Sequence, residues 1–219
     1  MQKFSRHIIF SSVGALLLLS PSTALGQKPD TSQQIVPETT EDLSELTLAE
    51  TLQLPEVPTK ARGEVRRLMQ QEARGLQKLG YKVETMRQGE VVIATIPADK
   101  LFAPNDTVLT REASEALRPF LSYFNTSGRY KVILAMHSDD TGSDQYLYQL
   151  TERRIIALYD YFDLYANQTE MLQGYPMADS EPVKDTPNNS MTNRRTNRRL
   201  EIYIVPGPTF ISAVTKSVK

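Results

Sequence analysis

The stretch His137-Ser138-Asp139-Asp140-Thr141-Gly142, running on to Leu150-Thr151-Glu152-Arg153-Arg154, decides how this chain folds. Before it, Tyr130 to Met136 is apolar on both faces apart from Lys131, as an inner strand would be. After it, Ser143 is placed to cap a long helix reaching about Tyr165, in which Leu147, Leu150, Leu158, Tyr161 and Tyr165 share one face at spacings of three and four. The segment thus predicts strand, acidic loop and helix. Arg154 falls on the apolar face of that helix.

A guanidinium cannot shed its charge, so Arg154 has to snorkel or find a partner. A structural bridge to Asp139, Asp140 or a carbonyl is one reading. The other is a ligand carboxylate, which suits the planar fork of arginine. An acid in the loop and a base in the helix can together grip a small zwitterion. A second cluster, Asn193-Arg194-Arg195-Thr196-Asn197-Arg198-Arg199, leads into Leu200 to Val205, where Leu200, Ile202 and Ile204 alternate with Glu201, Tyr203 and Val205 as in a half-buried strand.

Working outward, Lys60 to Leu79 predicts an amphipathic helix stopped by Gly80. Tyr81 to Met86 and Val91 to Ile96 predict two strands joined by the turn Arg87-Gln88-Gly89-Glu90. Thr110 is placed to cap a helix with Ala113, Leu117, Phe120, Leu121 and Phe124 at helical spacing, with a kink or late start at Pro119. Residues 170–205 read as a short connection, a loop rich in proline and asparagine, and the final strand.

Lys3 and Arg6, the apolar run Ile8 to Leu19 and the small residues beside Pro21 read as a secretory signal peptide, residues 1–26, cleaved after Ala24 or Gly26. Its removal deletes two bases and no acid, moving the formal net charge from -1 to -3. Such a balance implies no nucleic-acid partner. Cysteine is absent, which excludes disulfides, thiolate chemistry and a cysteine-linked lipid. No later segment is apolar enough to predict a membrane span in the mature chain. Residues 27–58 are acidic, with Lys28 as the only base and neither glycine nor aromatic residues, and read as a flexible linker. Residues 59–90 form the helix-and-strand unit, 91–206 the main domain and 207–219 a C-terminal tail.

These motifs, in this order, resemble the C-terminal, peptidoglycan-associating domain of OmpA-like proteins. His137 to Gly142, Tyr146 and Leu150 to Arg154 match the family's "HTD-x-x-G" and "Y-N-x-x-L-S-x-x-R-A" segment in spacing. Arg194, Asn197, Arg198, Arg199, Leu200, Glu201 and Ile202 match its closing "G-R-x-x-N-R-R-V-E-I", with Gly174 and Pro182 at the intervening "G-x-G-E-x-x-P". The resemblance implies an α/β (α+β) sandwich of βαβαβ order, helices packed on a mixed sheet, preceded here by the extra helix and strand. It implies that Asp139 and Arg154 bind the free end of diaminopimelic acid in the stem peptide, with Arg198, at the family's first closing arginine, beside the ligand.

The family's asparagine is Leu147 here, its "L-F-D" is Leu101-Phe102-Ala103, and Met136 and Asn193 stand where it has glycine. The resemblance implies a noncatalytic, cofactor-free anchor that ties an outer-membrane or other envelope protein to peptidoglycan. It places the chain in the periplasm, at the outer membrane and cell wall. An envelope scaffold whose OmpA-like fold binds protein instead is the alternative. His137, Asp139 and Asp140 are too bunched to converge on a metal without a further ligand, and no Gly-x-Ser-x-Gly elbow is present.

Overall fold

The computed structural model describes residues 46–218; the expected signal peptide and the first part of the expected linker lie outside them. Five strands form one mixed sheet: β1 (Lys82–Met86), β2 (Val91–Pro97), β3 (Tyr130–His137), β4 (Leu172–Ala178) and β5 (Arg199–Pro206). The order is β1-β2-β5-β3-β4. Only β3 and β4 run parallel, because the long helix returns the chain between them. Strand β5 therefore enters between β2 and β3, which brings the closing arginine cluster beside the loop that follows β3.

Two helices cover one face, α2 (Arg62–Lys78) over β1 and β2, and α4 (Asp144–Tyr165) over β3 and β4. Val65, Met69 and Leu76 of α2 and Ile155, Leu158 and Phe162 of α4 pack on Val92, Ala94, Val132, Leu134, Ile202 and Ile204. The alternation read from Leu200 onward is what sends Ile202 and Ile204 into this core. Arg87, Gln88 and Gly89 all have positive φ, which closes the tight turn from β1 to β2. Among the described residues no helix is long and apolar enough to cross a membrane.

Four elements differ from the sequence reading. The helix expected from Thr110 shrinks to α3 (Ala113–Leu117), and a 3₁₀ stretch follows over Arg118–Phe124. Pro119 explains this, since it lacks the donor that a continuing α-helix needs. Thr110 caps nothing: its hydroxyl is buried without a hydrogen-bond partner among the described residues. The connection after residue 170 contains β4, hidden by Gly174 and Pro176, and the arginine cluster contains a helix, α5 (Met191–Asn197).

The other face of the sheet is covered in part by chain expected to be linker, whereas the expected tail joins the helix-covered core. In α1 (Leu48–Thr51) a capping box links Thr47 and Glu50. Leu48 and Leu52 pack on Val91, Ile133, Tyr175 and Tyr203, and the Thr51 hydroxyl meets the Tyr175 hydroxyl at 2.5 Å. The apolar leucines of the linker thus pin its end to the sheet. After Pro206, α6 (Pro208–Ser217) buries Phe210, Ile211 and Val214.

Gly174 sets how closely α4 lies on β4: a Cβ there would stand 2.4 Å from Ile155 Cγ2 and 3.0 Å from the Tyr159 hydroxyl. Gly174→Ala is expected to lower stability by about 1 to 3 kcal/mol through overpacking. Urea denaturation checks this, and a midpoint equal to wild type would mean that helix and strand have slack the geometry denies.

Candidate functional site

The C-terminal end of β3 delivers Asp139 into a loop held at both ends. The Ser138 amide donates to the Ala178 carbonyl at 2.6 Å, and the Ser143 hydroxyl caps α4 by accepting from the Tyr146 amide at 3.3 Å. Between them Gly142 adopts a φ of 151°, and a Cβ there would press on Tyr146 at 2.8 Å. Thr151 ties the helix to the neighbouring strand. Its hydroxyl donates to carbonyls of Leu147 and Tyr148 and accepts from the Ala178 amide at 3.3 Å.

Asp139 is buried, at 3% exposure. One carboxylate oxygen accepts from the Thr141 amide at 2.9 Å, and the other pairs with the Arg198 guanidinium. Burial opposes ionisation, but the Thr141 amide and hydroxyl and the bond and charge of Arg198 outweigh it, holding the carboxyl below its usual range. Arg198 reaches this place because it ends α5 immediately before β5, and its side chain stays 37% exposed.

Arg154, at 3% exposure, lies on the α4 face that the sequence indicated. Its guanidinium carbon sits 4.8 Å from the Phe102 ring centroid, and Nε donates to the Asp106 carbonyl at 2.9 Å. Of the partners considered for it, a carbonyl is the one found. Among the described residues no carboxylate forms an ion pair with Arg154. Its two terminal nitrogens have no hydrogen-bond partner there either, and neither is among the polar atoms sealed from solvent. Burial pulls its pKa down, Tyr146 and Asp106 push it up and the Arg198 charge pulls it down further; a guanidinium nonetheless keeps its proton.

The three predicted site residues therefore converge. Asp139 and Arg198 touch, and Arg154 lies within electrostatic reach of Arg198. Arg198 takes up the Asp139 carboxylate and Arg154 pairs with none among the described residues, leaving an excess of positive charge at a forked end still able to donate. A carboxylate ligand fits that excess, and the lone pairs left on Asp139 can accept from an ammonium.

Sequence reasoning missed the residues that shape this arrangement. Phe102 and Asp106 come from a loop whose Asp106 carboxylate accepts from the Thr107 and Val108 amides at 2.7 and 3.1 Å, and whose Asn105 has a positive φ. Proline, asparagine and aspartate at Pro104-Asn105-Asp106 suit a turn, but the contact of this loop with Arg154 leaves no mark on the sequence. Asn197, fully buried, staples the loop before α5: it accepts from the Val183 amide at 2.9 Å and donates to the Thr186 carbonyl at 2.9 Å. Leu147 is buried and packs beside the position a Gly142 Cβ would take, so it offers the site no polar group.

The other arginines of the cluster are spent elsewhere. Arg194 pairs with Asp140 at 3.2 Å and Arg195 with Asp99 at 2.7 Å, both near the surface. Arg199 is buried and bonds Glu201 at 2.7 Å and the Glu181 carbonyl at 3.2 Å. His137 is buried 3.5 Å from the Glu201 carboxylate. Among the described residues no group of three His, Cys, Asp or Glu side chains is placed to hold a metal.

A scan of family models and a search of curated proteins return no match to this sequence. Solved structures do match. A MotB-like protein from Desulfovibrio vulgaris is 20% identical with a TM-score of 0.58, over 67% of this chain and 98% of that one. The cell wall anchor of the T6SS from Pseudomonas aeruginosa is 23% identical with a TM-score of 0.50, over 69% and 99%. The fold is OmpA-like. At these identities the likeness extends to the fold and not to the site. The backbone thus agrees with the fold that the motif resemblance implies, and from β2 onward the elements follow as β2, α3, β3, α4, β4, α5 and β5.

Two outcomes test the electrostatics. Arg198→Ala removes a hydrogen bond and a positive charge from ionised Asp139, so the carboxyl pKa is expected to rise, measured by carbon-detected NMR titration; an unmoved pKa would contradict the pairing. Glu201 is opposed by burial but held down to about 2, against 4.5, by His137, Tyr203 and Arg199. The stability it contributes is complete above 4.5 and is lost as pH falls toward 2. Glu201→Gln should be less stable than wild type at neutral pH and less sensitive to acid over that interval, read by thermal denaturation.

Proposed function

We propose that this protein binds peptidoglycan without catalysis and anchors an envelope component to the cell wall, gripping the zwitterionic end of diaminopimelate in a stem peptide. One observation carries the reading: the nearly buried Arg154 presents a terminal fork with no partner among the described residues, within electrostatic reach of the Arg198 that pairs with ionised Asp139. The ligand carboxylate docks on Arg154 and Arg198, and its ammonium donates to Asp139. A neutral sugar offers neither charge. That a structural neighbour is the cell wall anchor of a T6SS supports the same role.

Charge-assisted bonds contribute about 1.5 to 3 kcal/mol each before ordering costs. With Leu147 and Ala103 supplying no polar side chain, a single site is expected to bind at roughly micromolar to millimolar strength. Retention then comes from many neighbouring stem peptides and from tethering to the partner. The partner is an outer-membrane or other envelope protein, the location is the periplasm at the wall, and the attachment runs through chain upstream of Leu46, because the segment after it is packed on the sheet.

A scaffold role is the second reading, favoured by the engagement of Asp139 with Arg198 and by the apolar Leu147. Sedimentation with purified sacculi separates the two. Retention should fall at least about tenfold in both Asp139→Asn and Arg154→Ala, with circular dichroism unchanged. Retention indifferent to both substitutions would establish the scaffold instead.

A further inference from the structure

Helix α4 has a second, outward face that the wall-binding reading does not use. Ile156 and Leu164 lie on it, and Leu164 is 72% exposed. Beside them Val108, from the loop that Arg154 holds, is 69% exposed and Tyr165 is 58% exposed. Together with Arg153, Ala157 and Asp160 they line a shallow groove of about 540 Å³. Scattered exposed apolar residues need no explanation, but a contiguous set rimmed by charges marks a contact surface.

The charges say what covers it. Arg153 and Asp160 are both exposed and, among the described residues, neither has a hydrogen bond or ion pair. They stand seven residues apart, two helical turns, so they share one stripe about 10 Å apart along the axis. Ile156 and Ala157 lie midway between them. We propose that a second copy of this chain docks here, α4 against α4, antiparallel about a twofold axis between Ile156 and Ala157.

That symmetry sets Arg153 of each protomer opposite Asp160 of the other, so the pair forms twice. Ile156 meets Ala157 across the axis, and the small Ala157 allows the close helix separation that such packing needs. Leu164 meets the position of Gln149, which is exposed on the same stripe. Exposed ion pairs contribute little energy, so the charges fix register and direction while Ile156, Leu164, Val108 and Tyr165 supply the apolar burial. Arg154 projects toward Phe102 and Asp106, leaving its site open in each protomer.

The test is sedimentation velocity of residues 27–219 across a concentration series. The wild type should dimerise, and R153D and D160R should each weaken dimerisation at least about tenfold, since each places two like-charged pairs across the axis. An equimolar mixture of the two variants should dimerise again, because the acidic stripe of one then faces the basic stripe of the other. This recovery cannot come from misfolded variants, and circular dichroism of each checks the fold independently. A wild type that stays monomeric, a dimer indifferent to both substitutions, or a mixture that stays monomeric would each overturn the proposal. So would association that appears only with another envelope protein.

Discussion

Placing a guanidinium almost out of water, with a carbonyl as its hydrogen-bond partner and an aromatic ring against it, is the constraint around which this end of the molecule is arranged. A permanent charge cannot be buried cheaply, and arginine has no neutral form to retreat to. The Phe102 ring and the Asp106 carbonyl offset part of that cost for Arg154 but supply no negative charge. Asp139 carries one, and it is paired with Arg198. The terminal fork of Arg154 is thus left without an ion pair among the described residues.

Every element near the site serves to hold this imbalance in place. The insertion of β5 between β2 and β3 brings Arg198 to the loop after β3, and α5 sets the point at which the chain turns into that strand. Gly142 lets the loop pass under Tyr146, Gly174 lets α4 sit down on β4, and Thr151 ties that helix to the end of the same strand. Asn197 fixes the preceding loop from inside. On the far side of the sheet, Arg199 and Tyr203 both donate to the Glu201 carboxylate, with His137 buried 3.5 Å from it, as a separate charged layer. It stiffens the strand that carries Arg198 rather than contributing to binding.

Much of this was legible in the sequence because it rests on periodicity and local chemistry. The face of α4 and the alternation of β5 follow from spacing, and the cap at Ser143 and the turn after Met86 follow from residue type. The convergence of Asp139, Arg154 and Arg198 was readable only through the resemblance, since spacing does not say which strands are neighbours. Strand β4 was hidden because Gly174 and Pro176, needed for close packing and for an edge position, look like breaks. The docking of Leu48 and Leu52 was hidden for the opposite reason: a few leucines in an acidic, glycine-free stretch do not reveal a sheet face waiting for them. The carbonyl partner of Arg154 could not be read at all, because backbone acceptors leave no mark on a sequence.

The central claim, that Arg154 and Asp139 form an open receptor for a zwitterion, is tested most directly by NMR titration of the labelled protein with a purified muropeptide ending in free diaminopimelate. Saturable shifts of the Arg154 side-chain Nε–H and the Thr141 amide are expected, and they should be absent when the diaminopimelate carboxylate is amidated. Shifts confined to other surfaces, or equal for the free and amidated forms, would contradict it.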